Sequence, residues 1–219
     1  TLFPYTTLFR SDSYIQTVPM STIRKICVYC GSGPGNDPAF VEAAQAFGRI
    51  LARNGIGLVY GGGNIGLMGE IANSVLDNRG DVTGIIPQFL TKREIANRRG
   101  DLIVTRDMHD RKQRMFDLAD AFVALPGGVG TLEEVVEQMT WAQLGTHKKP
   151  ILLANINGFW EPLCMLLDHM TAREFIRPGL SVNYLVADKV EDILPKLQEA
   201  ARNLTEAEKR MKTADVEKL

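Results

Sequence analysis

Ala121-Phe122-Val123-Ala124-Leu125 is an unbroken apolar run, and Pro126-Gly127-Gly128-Val129-Gly130-Thr131 follows it directly. Leu132, Val135, Val136 and Met139 then recur at helical spacing. A strand buried on both faces reads as such a run, so the glycine-rich segment is a strand-to-helix turn. The pattern occurs twice more. Ile23 to Tyr29 runs into Cys30-Gly31-Ser32-Gly33-Pro34-Gly35, and Gly57 to Tyr60 runs into Gly61-Gly62-Gly63-Asn64-Ile65-Gly66-Leu67-Met68-Gly69. Strands that alternate with helices require crossovers, hence a parallel sheet covered on both faces. In such sheets ligands sit beyond the carboxyl ends of the strands, where the strand order reverses. All three turns are therefore expected to face one crevice.

The remaining chain fits the same α/β plan. Asp37-Pro38 opens a helix with Asp as N-cap and Pro at the first helical position, and Asn54-Gly55 ends it. A helix after Gly66 runs to about Arg79. Further strands are expected over Val82–Ile86, Leu102–Thr105, Ile151–Ala154 and Tyr184–Ala187. Helices are expected from Met108, with Asp110 as N-cap, over Phe159–Met170, and from Val190 to about Ala201. Gln88 to Gly100 is polar, charged and long for a plain connection, which marks functional loops. Residues Thr1 to Pro19 have no sustained period and no signal-peptide core, and are expected to be a non-native or dispensable leader. One domain is expected over residues 20–203, with a polar, partly helical tail over 204–219.

Composition narrows the function classes. The 219 residues carry 25 basic and 26 acidic side chains, and no basic stripe or tail favours a nucleic-acid partner. No apolar run approaches a membrane span. Three cysteines make no disulfide framework. Cys27-x-x-Cys30 has redox spacing but ends a strand, whereas redox pairs open a helix. His109, His147 and His169 show no zinc-type spacing. The reading is a reduced, cytoplasmic protein with no metal and no cofactor.

The glycine turns carry the chemistry. A glycine-rich turn opening a helix lets backbone approach a ligand and offers free N–H groups at a positive dipole end, an anion cradle. Glu133 and Glu134 stand just beyond one such cradle, which points to chemistry on a phosphorylated sugar. Thr131-x-x-Glu134 also has the form of a capping box, in which both side chains only satisfy helix-start amides. Gly61-x-Gly63-x-x-Gly66 matches the dinucleotide fingerprint. The strand after it ends Gly84-Ile85-Ile86-Pro87, with no carboxylate to hold a ribose, and Asp81 stands at the wrong end. No Gly-Lys-Ser/Thr follows any turn, so the NTPase phosphate loop is absent. Arg111 lies in the first turn of its helix, where a cation opposes the dipole. It is either part of a solvated basic face with Lys112 and Arg114 or a bidentate donor to phosphate or ribose.

Gly61-Gly62-Gly63-x-x-Gly66-Leu67-Met68-Gly69, Met108-His109-x-Arg111-Lys112 and Pro126-Gly127-Gly128-x-Gly130-Thr131-x-x-Glu134 together resemble the Lonely Guy family. Its members are cytokinin riboside 5′-monophosphate phosphoribohydrolases, often mislabelled lysine decarboxylases. The resemblance implies a Rossmann-like single domain, a homodimer, and cleavage of the N-glycosidic bond of an N6-substituted AMP, or AMP itself, to free base and ribose 5-phosphate. By this resemblance Arg111 and Glu134 are catalytic. Glu94, Lys112, Gly127, Gly128, Val129, Gly130, Thr131, Leu132, Glu133 and Thr140 bind substrate, and the other glycine turns add Gly31, Ser32, Gly62, Gly63 and Met68. Glu134 would stabilise an oxocarbenium-like transition state while Arg111 and the turns anchor the 5′-phosphate. Phe116, Leu118, Met139, Trp141 and Leu144 give the two helices flanking the 121–125 strand more apolar surface than one sheet face needs, a hint of the dimer. Two other classes fit the fold: a non-catalytic nucleotide carrier and an NAD-dependent oxidoreductase. A lysine decarboxylase fits poorly, because Lys148 and Lys149 precede a strand at its far end from the crevice.

Overall fold

The computed structural model describes residues 23–91, 95–176 and 181–216, with side chains through Glu206. The leader Thr1–Pro19 and the candidate residue Glu94 lie outside the described residues. Seven parallel strands form one sheet in the order β4-β3-β2-β1-β5-β6-β7. They are β1 (Lys25–Tyr29), β2 (Gly57–Tyr60), β3 (Val82–Pro87), β4 (Asp101–Thr105), β5 (Ala121–Ala124), β6 (Ile151–Ala154) and β7 (Leu185–Ala187). The helices are α1 (Pro38–Arg53), α2 (Gly66–Asp77), α3 (Met108–Leu118), α4 (Val129–Gln143), α5 (Glu161–Ala172) and α6 (Val190–Val216).

The chain builds β1, β2, β3 and β4 outward in one direction, then returns to place β5 on the other side of β1. The strand order reverses between β1 and β5, which opens the crevice at their carboxyl ends. Strand residues alternate between two cores. Ile26, Val28, Leu58, Tyr60, Val123 and Leu152 face α1, α2 and α6, while Cys27, Tyr29, Val59, Phe122 and Leu153 face α3, α4 and α5. This is the doubly wound α/β sheet expected from the alternating pattern.

Two helix starts differ from the sequence expectation. Asp107, not Asp110, caps α3: its backbone is extended and its Oδ1 accepts the Asp110 amide at 2.8 Å. Asp110 sits inside the first turn, where its charge suits the dipole. At α4 the helix begins two residues before Thr131. Gly128 is its N-cap, and no side chain caps it. Thr131 and Glu134 are therefore the third and sixth helical residues, and they form no capping box. At the other end of the chain, α6 continues through the polar residues after Leu204 to Val216.

Candidate active site

The three glycine turns pack backbone against backbone at the sheet's carboxyl edge. The Gly31 amide donates to the Pro126 carbonyl at 3.1 Å, joining the first turn to the third. Gly66 has φ +56°, and a Cβ there would run into the Ser32 carbonyl group, so glycine is needed for both backbone angle and contact. A Cβ on Gly127 would collide with the Thr131 side chain and the Gly31 amide.

The two helix starts in the crevice differ in one respect that decides where an anion can go. At α2, the Leu67 and Met68 amides donate to the Gly33 and Gly31 carbonyls, each at 3.4 Å. The helix start behind the dinucleotide-like fingerprint is thus filled by the protein's own backbone. At α4 the first amide with a protein acceptor is that of Leu132, which reaches Gly128 O at 3.1 Å. The amides of Val129, Gly130 and Thr131 have no acceptor among the described residues. The anion cradle is at α4, and the pyrophosphate position that an NAD reading needs at Gly61–Gly66 is occupied.

Beneath this cradle, Arg111 and Glu134 form an ion pair, Nη1 to Oε1 at 2.8 Å, with side chains 8% and 10% exposed. The Arg111 Nε donates to the Ile85 carbonyl at the end of β3, 3.1 Å away, which fixes the guanidinium plane. Gly61 makes room for it: a Cβ there would lie 2.5 Å from Nη2 and 3.0 Å from the Met68 sulfur. The cation in the first turn of α3 is therefore a buried partner of Glu134 and not part of a solvated face. On that helix Arg114 is exposed, while Lys112 is largely covered by its carboxylate partners on α4.

A cavity of about 230 Å³ collects Gly31, Ser32, Met68, Arg111, Gly128, Val129, Gly130, Thr131 and Glu134. Tyr29, Cys30 and Gly61 line it too, although the sequence does not mark them as substrate contacts. Burial drives the Tyr29 hydroxyl and the Cys27 and Cys30 thiols well above their ordinary ranges, and Cys27 and Cys30 lie in the cores on opposite faces of the sheet. A second cavity of about 340 Å³ shares Gly31, Ser32 and Gly128 and includes Gly127, Phe40 and Phe159. Gly62 and Gly63 lie behind the crevice. Gly62 packs toward Ile85 and Ile86, and Gly63 forms an antiparallel bridge with Ala96.

Besides Gly62, Gly63 and Gly127, four expected substrate contacts lie outside this cavity. Leu132, Glu133 and Thr140 are exposed on α4, and the Thr140 hydroxyl donates to the Val136 carbonyl at 2.8 Å. Lys112 pairs with Glu133 at 2.6 Å and Glu137 at 2.9 Å. Burial alone would lower the Lys112 ammonium, but the hydrogen bonds to Glu133 and Glu137 outweigh it and hold it above the ordinary lysine range. Leu132, Glu133 and Thr140 turn away because they fall on α4 positions about 100° or more off the Glu134 direction. Among the described residues, no cluster of three or more His, Cys, Asp or Glu side chains has a metal-binding arrangement.

A family model described as "possible lysine decarboxylase" matches residues 68–197, more than half of the chain. A probable cytokinin riboside 5′-monophosphate phosphoribohydrolase of Oryza sativa subsp. japonica is 43% identical over 186 residues, covering 84% of this chain and 83% of that protein. The chain belongs to the Lonely Guy family of cytokinin riboside 5′-monophosphate phosphoribohydrolases. Family members from Arabidopsis thaliana (42% identical over 187 residues, 85% of this chain and 87% of the other) and Rhodococcoides fascians (41% over 179 residues, 81% and 90%) match equally broadly. Among solved structures, a molybdenum cofactor carrier protein from Chlamydomonas reinhardtii has TM-score 0.61 at 20% identity, covering 82% of this chain and 98% of that one. The molybdenum cofactor binding protein of Rippkaea orientalis has TM-score 0.59 at 23% identity, covering 80% and 95%. At such identities the likeness is one of fold alone. The decarboxylase wording of the family model finds no support in lysine placement. Lys148 and Lys149 lie before β6, at the opposite end of the sheet from the Arg111–Glu134 pair.

Proposed function

We propose that this chain is a nucleoside 5′-monophosphate phosphoribohydrolase that hydrolyses the N-glycosidic bond of cytokinin riboside 5′-monophosphates, and of AMP, to free base and ribose 5-phosphate. The observation that carries the reading is the buried Arg111–Glu134 pair under the uncapped start of α4. The amides of Val129, Gly130 and Thr131 would hold the 5′-phosphate, with the α4 dipole favouring its charge. The phosphate then falls to α4, and Arg111 acts chiefly on Glu134: it pairs with the carboxylate and holds it at the cavity wall. As the bond to the base breaks, positive charge grows on the ribose ring, and a fixed carboxylate stabilises it. Binding energy from the phosphate, remote from the reacting carbon, positions the ribose against Glu134. Water adds to the anomeric carbon, and the base leaves with a proton.

We also propose that the protein works as a homodimer in the cytoplasm. Of the five apolar residues that hinted at this in the sequence, only Leu144 is strongly exposed, at 75%. Met139 is buried, and Phe116 and Trp141 pack edge to face 5.2 Å apart. Exposed apolar side chains on this side include Val136 on α4, Leu144 at its C-cap, and Met165, Leu166 and Met170 on α5, a set that a second copy would cover. Cys27, Cys30 and Cys164 are free thiols, in keeping with a reducing compartment. Among the described residues no helix is long and apolar enough to cross a membrane.

Incubation with AMP and N6-isopentenyl-AMP, followed by chromatography, tests the activity. Free base should appear with both, whereas AMP binding without adenine release would leave a carrier. Light scattering at micromolar concentration should give twice the chain mass, and a single-chain mass would rule out the dimer.

A further inference from the structure

A cavity of about 640 Å³, larger than either beside the glycine turns, opens at the amino ends of β6 and β7. The connection between α4 and β6 gives it His147, Lys148 and Lys149; the segment before β7 gives Ser181 and Tyr184; α6 gives Asn203. Among the described residues its walls hold three consecutive basic residues and no Asp or Glu. The size suits a drug- or nucleoside-sized ligand, and such sites are mostly apolar with a few polar groups.

The three basic residues do not contribute alike. His147 is structural. Its Nδ1 accepts the Lys149 amide at 3.1 Å, so Nε2 carries the proton and donates to Gln138 O at 3.2 Å. The ring packs against Phe116 and Phe122, and burial lowers its pKa, so it is a neutral wall. Lys149 is different. Its Nζ donates to the Phe116 carbonyl at 2.7 Å and stands 3.9 Å from the centre of the Phe116 ring. Asp120 and Asp117 act on it from a distance, though neither is within ion-pair range among the described residues. An ammonium has three donors, and one carbonyl and a ring face satisfy it incompletely. Burial outweighs those two carboxylates and lowers the Lys149 pKa, so its charge is only partly offset, and an anion entering the cavity that Lys149 lines relieves the remaining cost.

We propose that this cavity binds an organic anion with an apolar, ring-sized body, its acidic group paired with Lys149 and hydrogen-bonded by Ser181 or Asn203. The site lies at the opposite end of the sheet from the Arg111–Glu134 pair, so occupancy of one does not block the other. Anilinonaphthalene sulfonate, an aromatic anion, is a suitable probe for the intact chain. Its fluorescence should titrate to one saturable site, and excess ribose 5-phosphate should leave the titration unchanged. Lys149→Met keeps the stem and removes the charge, and it should weaken binding by roughly tenfold or more. Ala200→Trp, which fills the cavity from α6, should abolish it. The uncharged N-phenylnaphthylamine should bind wild-type protein at least about tenfold more weakly, which tests the anion requirement without any variant. Absence of a saturable site, displacement by ribose 5-phosphate, equal affinity for the uncharged probe, or unchanged binding in Ala200→Trp would each overturn the proposal.

Discussion

Gly61→Ala tests how the catalytic pair is built. Gly61 is not among the positive-φ glycines, so alanine fits the backbone, and the change acts only through its added methyl. That Cβ would lie 2.5 Å from Arg111 Nη2 and 3.0 Å from the Met68 sulfur. Ordinary contact is about 3.5 Å or more, so the guanidinium must retreat by about 1 Å. From 2.8 Å, such a shift takes Nη1 out of good hydrogen-bond range of Glu134 Oε1. Breaking a buried pair outright costs about 3–5 kcal/mol; here both charges remain and can partly rejoin, so about 1–3 kcal/mol is expected. For a chain of this size that lowers Tm by roughly 2–12 °C. Turnover should fall by roughly a hundredfold, the scale of a 1 Å misplacement of a catalytic group. Gly33→Ala is the control, because its Cβ meets nothing within 4 Å. Calorimetry and timed chromatography of released base measure both effects. Wild-type turnover in Gly61→Ala would show that the Arg111 position does not matter to the chemistry.

Arg111→Met leaves Glu134 buried without its cation and should destabilise by about 3–5 kcal/mol, read as a shift in urea midpoint. His147, whose pKa burial lowers, adds a pH dependence. The unfolded chain binds its proton first as pH falls, so the His147 contribution is complete above about pH 6.5 and is lost as pH drops toward the lower folded value. Urea midpoints in wild type should therefore fall between neutral and mildly acid pH, and His147→Gln should flatten that slope.

The sheet was legible because apolar runs and glycine turns are local signals. Strand-to-helix order alone implied a parallel sheet, a crevice and three turns facing it, and the structure has each. The start of α4 was not legible. Thr131-x-x-Glu134 has the spacing of a capping box, yet the helix starts two residues earlier, with Gly128 as N-cap and no side-chain cap. The role of Gly61 was also hidden. Its neighbour Arg111 arrives from fifty residues later, so only the packed fold reveals that the glycine makes space for a guanidinium. The fingerprint around it misleads for a related reason, since carbonyls of the first turn fill the α2 amides. Lys112, Glu133 and Thr140 entered by resemblance, and their helix phase in one chain carries them out of the cavity.

The central claim is that Glu134, held by Arg111, stabilises charge at the anomeric carbon. Glu134→Gln tests it most directly, because the amide keeps the shape and can still accept a hydrogen bond from Arg111. Base release from AMP, followed by chromatography, should fall by roughly a hundredfold or more. AMP affinity measured by calorimetry should change far less, because the charge acts mainly in the transition state. A folded Glu134→Gln protein that binds AMP and releases base at the wild-type rate would contradict the account.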